Sequence, residues 1–472
     1  MLQEIRLNNY KCFLDSGRVE IKPLTVLCGV NSSGKSTILK SLLTLKQTYN
    51  NAGNKPSIVL NSDHVKNGTF DDVVYKREGN YISFTTTHRV KSVSRKEKRG
   101  RAEIITFKNI AKMYPDYDKI SELIIAVNYT FLRTERDNTL SRQEYDIKVV
   151  YVDGNYLKSK VTFEHIDGND WRITIENFPN KDGALIEQMK LNNATCYFEN
   201  FIVANLYVGS TKPHTNEVVY IVNNICTVSR YVGSLFQNIN YLTPLRVYPQ
   251  RTYLNENIYE GIGIGGENTA QFLSEHQEEK MKTTLFGPNG TKEAGQALGT
   301  YVNQWMDYFG LGEYKLSQNE ETVKISVGND NIINVGFGVS QTLPIIVTGL
   351  TMHAADTLLL EQPEIHLHPR AQMAMGDFLI SMVKAQKNVV VETHSDHIIN
   401  RIVRRIMDGT IDDKDVAIYF VSGSNNGSEI NKIEVDMVRG IVNAPDDFFT
   451  QFASELNDIF KTGMENLKKT RQ

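Results

Sequence analysis

Gly29-Val-Asn-Ser-Ser-Gly34-Lys35-Ser36 stands between the apolar run Leu24-Thr-Val-Leu-Cys28 and a stretch carrying Ile38, Leu39, Leu42, Leu43 and Leu45 at helical spacing. The segment fits G-x-x-x-x-G-K-[ST] in full. A strand before it and a helix after it are the context that such a phosphate-binding loop requires. Glycines let successive backbone N–H groups wrap an anion, and the helix N-terminus adds its positive end. Lys35 is expected to reach the β- and γ-phosphates and Ser36 to offer a hydroxyl to Mg2+. Asn31, Ser32, Ser33, Gly34, Lys35, Ser36 and Thr37 are therefore the candidate nucleotide-contacting residues. The competing reading is a coincidental Gly/Ser turn.

Outward from this loop, Leu2, Ile5 and Leu7, then Val19 and Ile21, read as short N-terminal strands. Segments 81–86, 102–107, 123–131, 145–152, 161–165 and 171–175 are β-rich between polar turns. They describe an antiparallel β lobe or insertion. Residues 217–241 and 293–310 read as helices, and 332–430 alternates helix with strand, the pattern of a parallel α/β sheet. The expected fold is α/β: a phosphate-loop core with a mostly parallel sheet, an N-terminal antiparallel β lobe and a β-rich insertion. The expected divisions are 1–80 for the first part of the core, 81–240 for the insertion, 241–425 for the second part and 426–472 for a tail.

Three later segments carry chemistry. Leu358-Leu-Leu-Glu361-Gln362-Pro-Glu364-Ile-His366 is a buried strand delivering a carboxylate at its C-terminal end, where open α/β sheets hold ligands. Glu361 there could hold Mg2+ or its water, or simply end a core strand facing solvent. Val389-Val-Val-Glu392-Thr-His394 is a second such strand, and His394 could meet a γ-phosphate or serve only structure. Val335-Gly336-Phe-Gly338-Val-Ser340-Gln341 is a Gly/Ser turn at a helix start, with Ser340 as a plain N-cap in its simpler reading.

In this order the four segments resemble ABC-type ATPases of the RecF/SMC/OLD class, over about residues 1–75 and 240–405. The resemblance implies that Lys35 and Ser36 are the Walker A pair, and that Glu361 is the Walker B acid bound to Mg2+. It also implies that Gly338, Ser340 and Gln341 form a signature turn, and that His394 is the switch histidine. In that class the signature turn acts across a dimer around ATP, so an even-numbered homo-oligomer is implied. Tyr241-Leu-Thr-Pro-Leu-Arg246 and Pro445-Asp-Asp-Phe-Phe449 look like a compact bacterial OLD-like subgroup. Similarity to antiphage ATPases of the Septu and PARIS types implies a separately encoded nuclease or toxin as partner.

The sequence departs from that pattern twice. Gln362 stands where the class usually places the glutamate that orients water, and an amide cannot accept a proton as a carboxylate does. Glu364 is the substitute candidate, with a solvated loop acid as its plainer reading. Either Glu364 or another group takes that role, or hydrolysis is slow and ATP serves mainly to hold a dimer together. Second, only about 75 residues follow His394, too few for the nuclease domain of the OLD enzymes, and Asp412, Asp413 and Asp415 read as a solvated turn.

The 472 residues, 40% hydrophobic and 23% charged, describe a globular chain and exclude global disorder and collagen-like scaffolds. Their length predicts roughly two to four domains. Four scattered cysteines without a C-x-x-C pair suggest neither a zinc site nor a disulfide framework and suit a reducing cytoplasm. No apolar stretch is long enough for a membrane span. The 52 basic and 55 acidic side chains nearly balance, so nucleic-acid binding would need a local patch. Arg89, Lys91, Arg95, Lys96, Lys98, Arg99 and Arg101 are that patch, a nucleic-acid contact in one reading and a solvated hairpin tip in the other. A RecF-like DNA-repair ATPase and a non-hydrolysing ATP-locked scaffold remain the alternative functions.

Overall fold

The computed structural model describes residues 2–51, 56–91, 107–134, 138–180, 182–199, 201–208, 216–255, 261–424, 427–443, 445 and 462. The phosphate-loop half is built from β1 (Leu24–Gly29), α1 (Lys35–Asn51), β2 (Ile239–Leu242), α2 (Phe337–Thr351), β3 (Thr357–Glu361), α3 (Pro369–Lys384), β4 (Asn388–Glu392), α4 (Asp396–Met407), β5 (Val416–Ser424) and β6 (Gly427–Ile433). The strands form one sheet in the order β2-β3-β4-β1-β5-β6. Its first five strands run parallel and β6 closes the edge antiparallel.

Their sequences explain that sheet. Thr357-Leu-Leu-Leu-Glu361 and Asn388-Val-Val-Val-Glu392 are continuous apolar runs, as strands covered on both faces require. Alternation divides them between two cores. Leu27, Leu359, Val390 and Val421 join α1 in one. Val26, Leu358, Leu360, Val389 and Val391 join α2, α3 and α4 in the other. Each such side chain contributes about 1.5–3 kcal/mol on full burial.

The main sheet is antiparallel, and the mostly parallel sheet expected for the core is the smaller of the two. The antiparallel sheet has ten strands. Leu2–Tyr10 pairs with Phe13–Asp15, Val19–Glu20 and Tyr81–Lys91. From there Ile120–Arg133, Asn138–Tyr151, Tyr156–Asp167, Asp170–Pro179, Leu185–Glu199 and Ile202–Val208 follow as a meander. The N-terminal lobe and the insertion are thus one continuous sheet. Its strands are longer than the sequence segments suggested. Of the expected strand 102–107, residues 102–106 lie outside the described residues and Phe107 is helical.

The helix expected over 217–241 spans Asn216–Gln237, and its last expected residues form β2 instead. Its Ser229 hydroxyl meets the Tyr145 hydroxyl of the antiparallel sheet at 2.6 Å. The helix expected over 293–310 spans Leu298–Phe309 and stops at Gly310 in the left-handed conformation. Among the described residues, no helix is long and apolar enough to cross a membrane.

Candidate functional site

The loop after β1 owes its path to two glycines. Gly29 has φ +130°, and a Cβ there would come within 2.1 Å of the Val421 carbonyl oxygen on β5. Gly34 has φ +104°, and its Cβ would meet Cys12 Sγ at 2.5 Å. Asn31 and Ser32 form the exposed crest, Ser32 at φ +61°. Ser33 is buried with a hydroxyl that has no partner among the described residues. Thr37 N–H donates to the Gly34 carbonyl at 3.0 Å, which starts α1.

Lys35 is buried and folds back onto its own loop. Its Nζ donates to the carbonyls of Gly29 (3.1 Å) and Val30 (2.6 Å). Burial lowers its pKa, and the charge of Glu392 opposes that shift.

Ser36 turns the other way, and its hydroxyl donates to Glu392 Oε1 at 3.0 Å. Glu392 and Glu361 are register partners at the ends of β4 and β3, so both carboxylates leave the same face of the sheet. Both are buried. Glu361 Oε1 accepts from the Tyr241 hydroxyl at 2.7 Å. Glu392 Oε2 is buried without a hydrogen-bond partner among the described residues. Burial raises the Glu392 pKa, and the Glu361 charge adds to that rise.

This pair fits a divalent cation. An orphaned carboxylate oxygen, the Ser36 hydroxyl and a second carboxylate converge beside the phosphate loop, the hard oxygen donors that Mg2+ takes. The sequence reading assigned no role to Glu392. Its signal was present, because Leu-Leu-Leu-Glu361 and Val-Val-Val-Glu392 are the same pattern, three apolar residues and then a glutamate.

Gln362 follows Glu361 at φ +45°, a left-handed conformation that is uncommon for a residue with a side chain. Its N–H donates to the Glu392 carbonyl at 2.7 Å. Glu364 accepts two hydrogen bonds in this arrangement, Oε2 from Thr393 Oγ1 at 2.8 Å and Oε1 from His394 N–H at 2.6 Å. It orders the turn that bears His394. Burial raises the Glu364 pKa. Burial, then the nearby charge of Lys35, lowers that of His394, which favours its neutral form.

The turn at 336–341 forms a separate half of the site. α2 begins at Phe337 with Gly336 as N-cap, so Ser340 lies inside the first turn and is not the cap. Its hydroxyl donates to the Phe337 carbonyl at 3.0 Å. Gly338 packs against the His366 carbonyl, where a Cβ would sit at 3.2 Å. Phe337 is exposed and its ring lies between Tyr248 (5.0 Å) and His366 (5.4 Å). Gln341 is buried, and its amide clasps the backbone of Arg246, accepting from its N–H at 3.1 Å and donating to its carbonyl at 3.2 Å. None of these side chains hydrogen-bonds the chain's own phosphate loop among the described residues.

Elsewhere, Arg401 and Arg405 share a face of α4, as their spacing predicts, and both serve the buried Asp377 of α3 at 3.7 and 2.7 Å. Asp412 accepts from Lys414 N–H in an exposed turn. Arg89 pairs with Glu122 at 2.7 Å. Arg95, Lys96, Lys98, Arg99 and Arg101 lie outside the described residues, as do residues 446–449 of the C-terminal motif.

Residues 1–226 and 254–399 match the family model described as an AAA ATPase domain. Among curated proteins, none matches this sequence. Three solved structures are similar to the chain. An Smc head bound to the C-winged helix domain of ScpA is 12% identical, covering 93% of this chain and 98% of its own, with a TM-score of 0.43. The SMC head domain from Thermotoga maritima is 9% identical over 92% and 99%, with a TM-score of 0.35. An Smc head domain with an extended coiled coil, bound to the C-terminal domain of ScpA derived from Pyrococcus furiosus, is 10% identical over 100% and 99%, also at 0.35.

Proposed function

The chain belongs to the AAA ATPase domain family, and from that premise we propose that it is a slow ATP-driven switch that self-associates around Mg·ATP. The observation that carries this reading is the Glu361–Glu392 pair beside the phosphate loop, with Ser36 already on Glu392 and one carboxylate oxygen unpartnered. Bound Mg2+ would neutralise charge on the phosphate oxygens. Ser36, Glu392 and Glu361 would hold it. Lys35 would exchange the Gly29 and Val30 carbonyls for phosphate oxygens, and neutral His394 would donate a hydrogen bond at the terminal phosphate.

Turnover is slow on this reading because the unpartnered Glu392 oxygen goes to the cation and an amide, Gln362, stands where a carboxylate would meet the water. Gln362 can orient it but cannot take its proton, and Glu364 accepts from Thr393 and His394. The same two residues support the second reading, a scaffold locked by ATP without hydrolysis.

Among the described residues the Ser340 turn makes no hydrogen bond to its own phosphate loop, which supports its use on the nucleotide of a second copy. A homodimer, or a larger even-numbered assembly, then encloses two ATP molecules. The resemblance to antiphage ATPases adds the setting: closure controls a separately encoded nuclease or toxin.

The test is phosphate release from Mg·ATP, with Lys35→Ala as control and Ser340→Arg as the assembly variant. Slow release that Lys35→Ala abolishes, and ATP-dependent association that Ser340→Arg abolishes while ATP stays bound, would support the switch. Bound ATP with no release would favour the scaffold, and absence of nucleotide binding would overturn both.

A further inference from the structure

Tyr241-Leu-Thr-Pro-Leu-Arg246 runs off the end of β2 beside the end of β3, and it grips Glu361 twice. The Tyr241 hydroxyl donates to the Glu361 carboxylate. The Arg246 guanidinium donates to the Glu361 carbonyl at 3.0 Å and to the Pro244 carbonyl at 3.2 Å, and lies 3.5 Å from the Gln362 carbonyl.

Arg246 is an unusual residue to find there. It is 3% exposed, and the carboxylates whose charges reach it, Glu364 and Glu361, form no ion pair with it among the described residues. Its Nε is buried and has no hydrogen-bond partner among the described residues. Burying a guanidinium is costly even with the charges of Glu364 and Glu361 close by, a cost an apolar side chain would avoid. Its partners are main-chain oxygens at one point, the peptide following Glu361. That peptide is held from the other side as well, since Gln362 N–H donates to the Glu392 carbonyl. Gln362 occupies the left-handed region, so an extended alternative lies open to it if the grip shifts.

The backbone of Arg246 is held in turn by Gln341, whose amide makes one bond to its N–H and one to its carbonyl. The chain of contacts runs from the first turn of α2, through Gln341 and Arg246, to the Glu361–Gln362 peptide. It joins the two halves of the site inside one protomer.

We propose that Arg246 is a positioning residue that transmits engagement of the Ser340–Gln341 turn to the carboxylate end of β3 in the same chain. This rests on the reading that the Ser340 turn closes over the nucleotide of a second copy. Nucleotide in one site then sets the geometry of Glu361 and Gln362 in the other, and the two sites fill cooperatively.

The experiment is equilibrium binding of Mg·ATPγS, with association followed in parallel, for the full chain and for Arg246→Lys. Lysine keeps the charge but cannot span several carbonyls. Arg246→Met, which removes the guanidinium but keeps a long buried side chain, is the second variant should the first not fold. The expected result is a Hill coefficient near 2 for two coupled sites, falling to about 1 in the variants with association retained. Half-saturation should stay within about threefold. A general structural defect would lower affinity or melting temperature and leave the steepness unchanged.

Folded variants that remain as cooperative as the parent would overturn the proposal, as would a parent that associates on ATP but binds it without cooperativity. Loss of all binding would place Arg246 in the nucleotide pocket and also overturn it. A parent that never associates on nucleotide instead removes the switch reading, and this proposal with it.

Discussion

Ser36 hydrogen-bonds Glu392, not Glu361, at 3.0 Å. Glu392 lies on the strand next to β1 and Glu361 one strand farther out. The loop hydroxyl is therefore tied to the nearer of two carboxylates, and the farther one is held by Tyr241.

Glu392→Gln removes the charge and keeps the shape. The Mg2+ concentration needed for half-maximal ATP binding should rise by about 10–100-fold, the usual cost of losing a ligand-shell partner. ATP binding measured without Mg2+ should change little. A titration of Mg2+ at fixed ATP checks this, and an unchanged midpoint would remove Glu392 from the cation site.

Gln362→Glu supplies the carboxylate that the site lacks. A positioned general base contributes about 10²–10⁴-fold, so phosphate release should rise by about tenfold or more even with imperfect placement. Glu364→Gln should not mimic it, because Glu364 already serves Thr393 and His394. Equal release rates in the parent and in Gln362→Glu would mean that proton acceptance does not limit turnover.

Lys387 caps α2 from below, donating to the carbonyls of Gly349 (2.7 Å) and Leu350 (2.9 Å). Burial lowers its pKa from 10.5 to about 7, only partly offset by Asp356. The unfolded chain binds this proton at the ordinary value, so protonation favours unfolding as pH falls from 10.5 toward 7 and adds nothing further below that. The stability of Lys387→Met relative to the parent should therefore grow across that window and then level. Chemical denaturation at a series of pH values checks it, and a flat difference would contradict the shift.

The strand–loop–helix of residues 24–51 was legible because each signal is local: an apolar run, a glycine-bearing loop and helical periodicity. The strand ending at Glu361 was legible for the same reason. The partnership of Glu392 with Ser36 was not, because it depends on which strands become neighbours across hundreds of residues. Pairing of Leu2–Tyr10 with Tyr81–Lys91 is equally non-local, and it turned an expected lobe and insertion into one sheet. Ser340 looked like a cap because a hydroxyl before an apolar run is the usual sign. Gly336 starts the helix one turn earlier. Arg401 and Arg405 were placed on the right face, but Asp377, their partner, comes from a different helix.

The central position of β1 also constrains the order in which the protein can fold during synthesis. β1 is made before most of the antiparallel meander, yet both its neighbours, β4 and β5, come after residue 387. The antiparallel meander has mostly local pairings and can close while the chain is still growing. Until Asn388–Ser424 is made, Leu24–Gly29 carries two open edges, the condition that invites mispairing. Ribosome-bound chains ending before residue 388 should therefore be cut by protease near β1, and chains extended beyond β6 should be protected there. Equal protection at both lengths would mean that β1 is sheltered before its partners arrive.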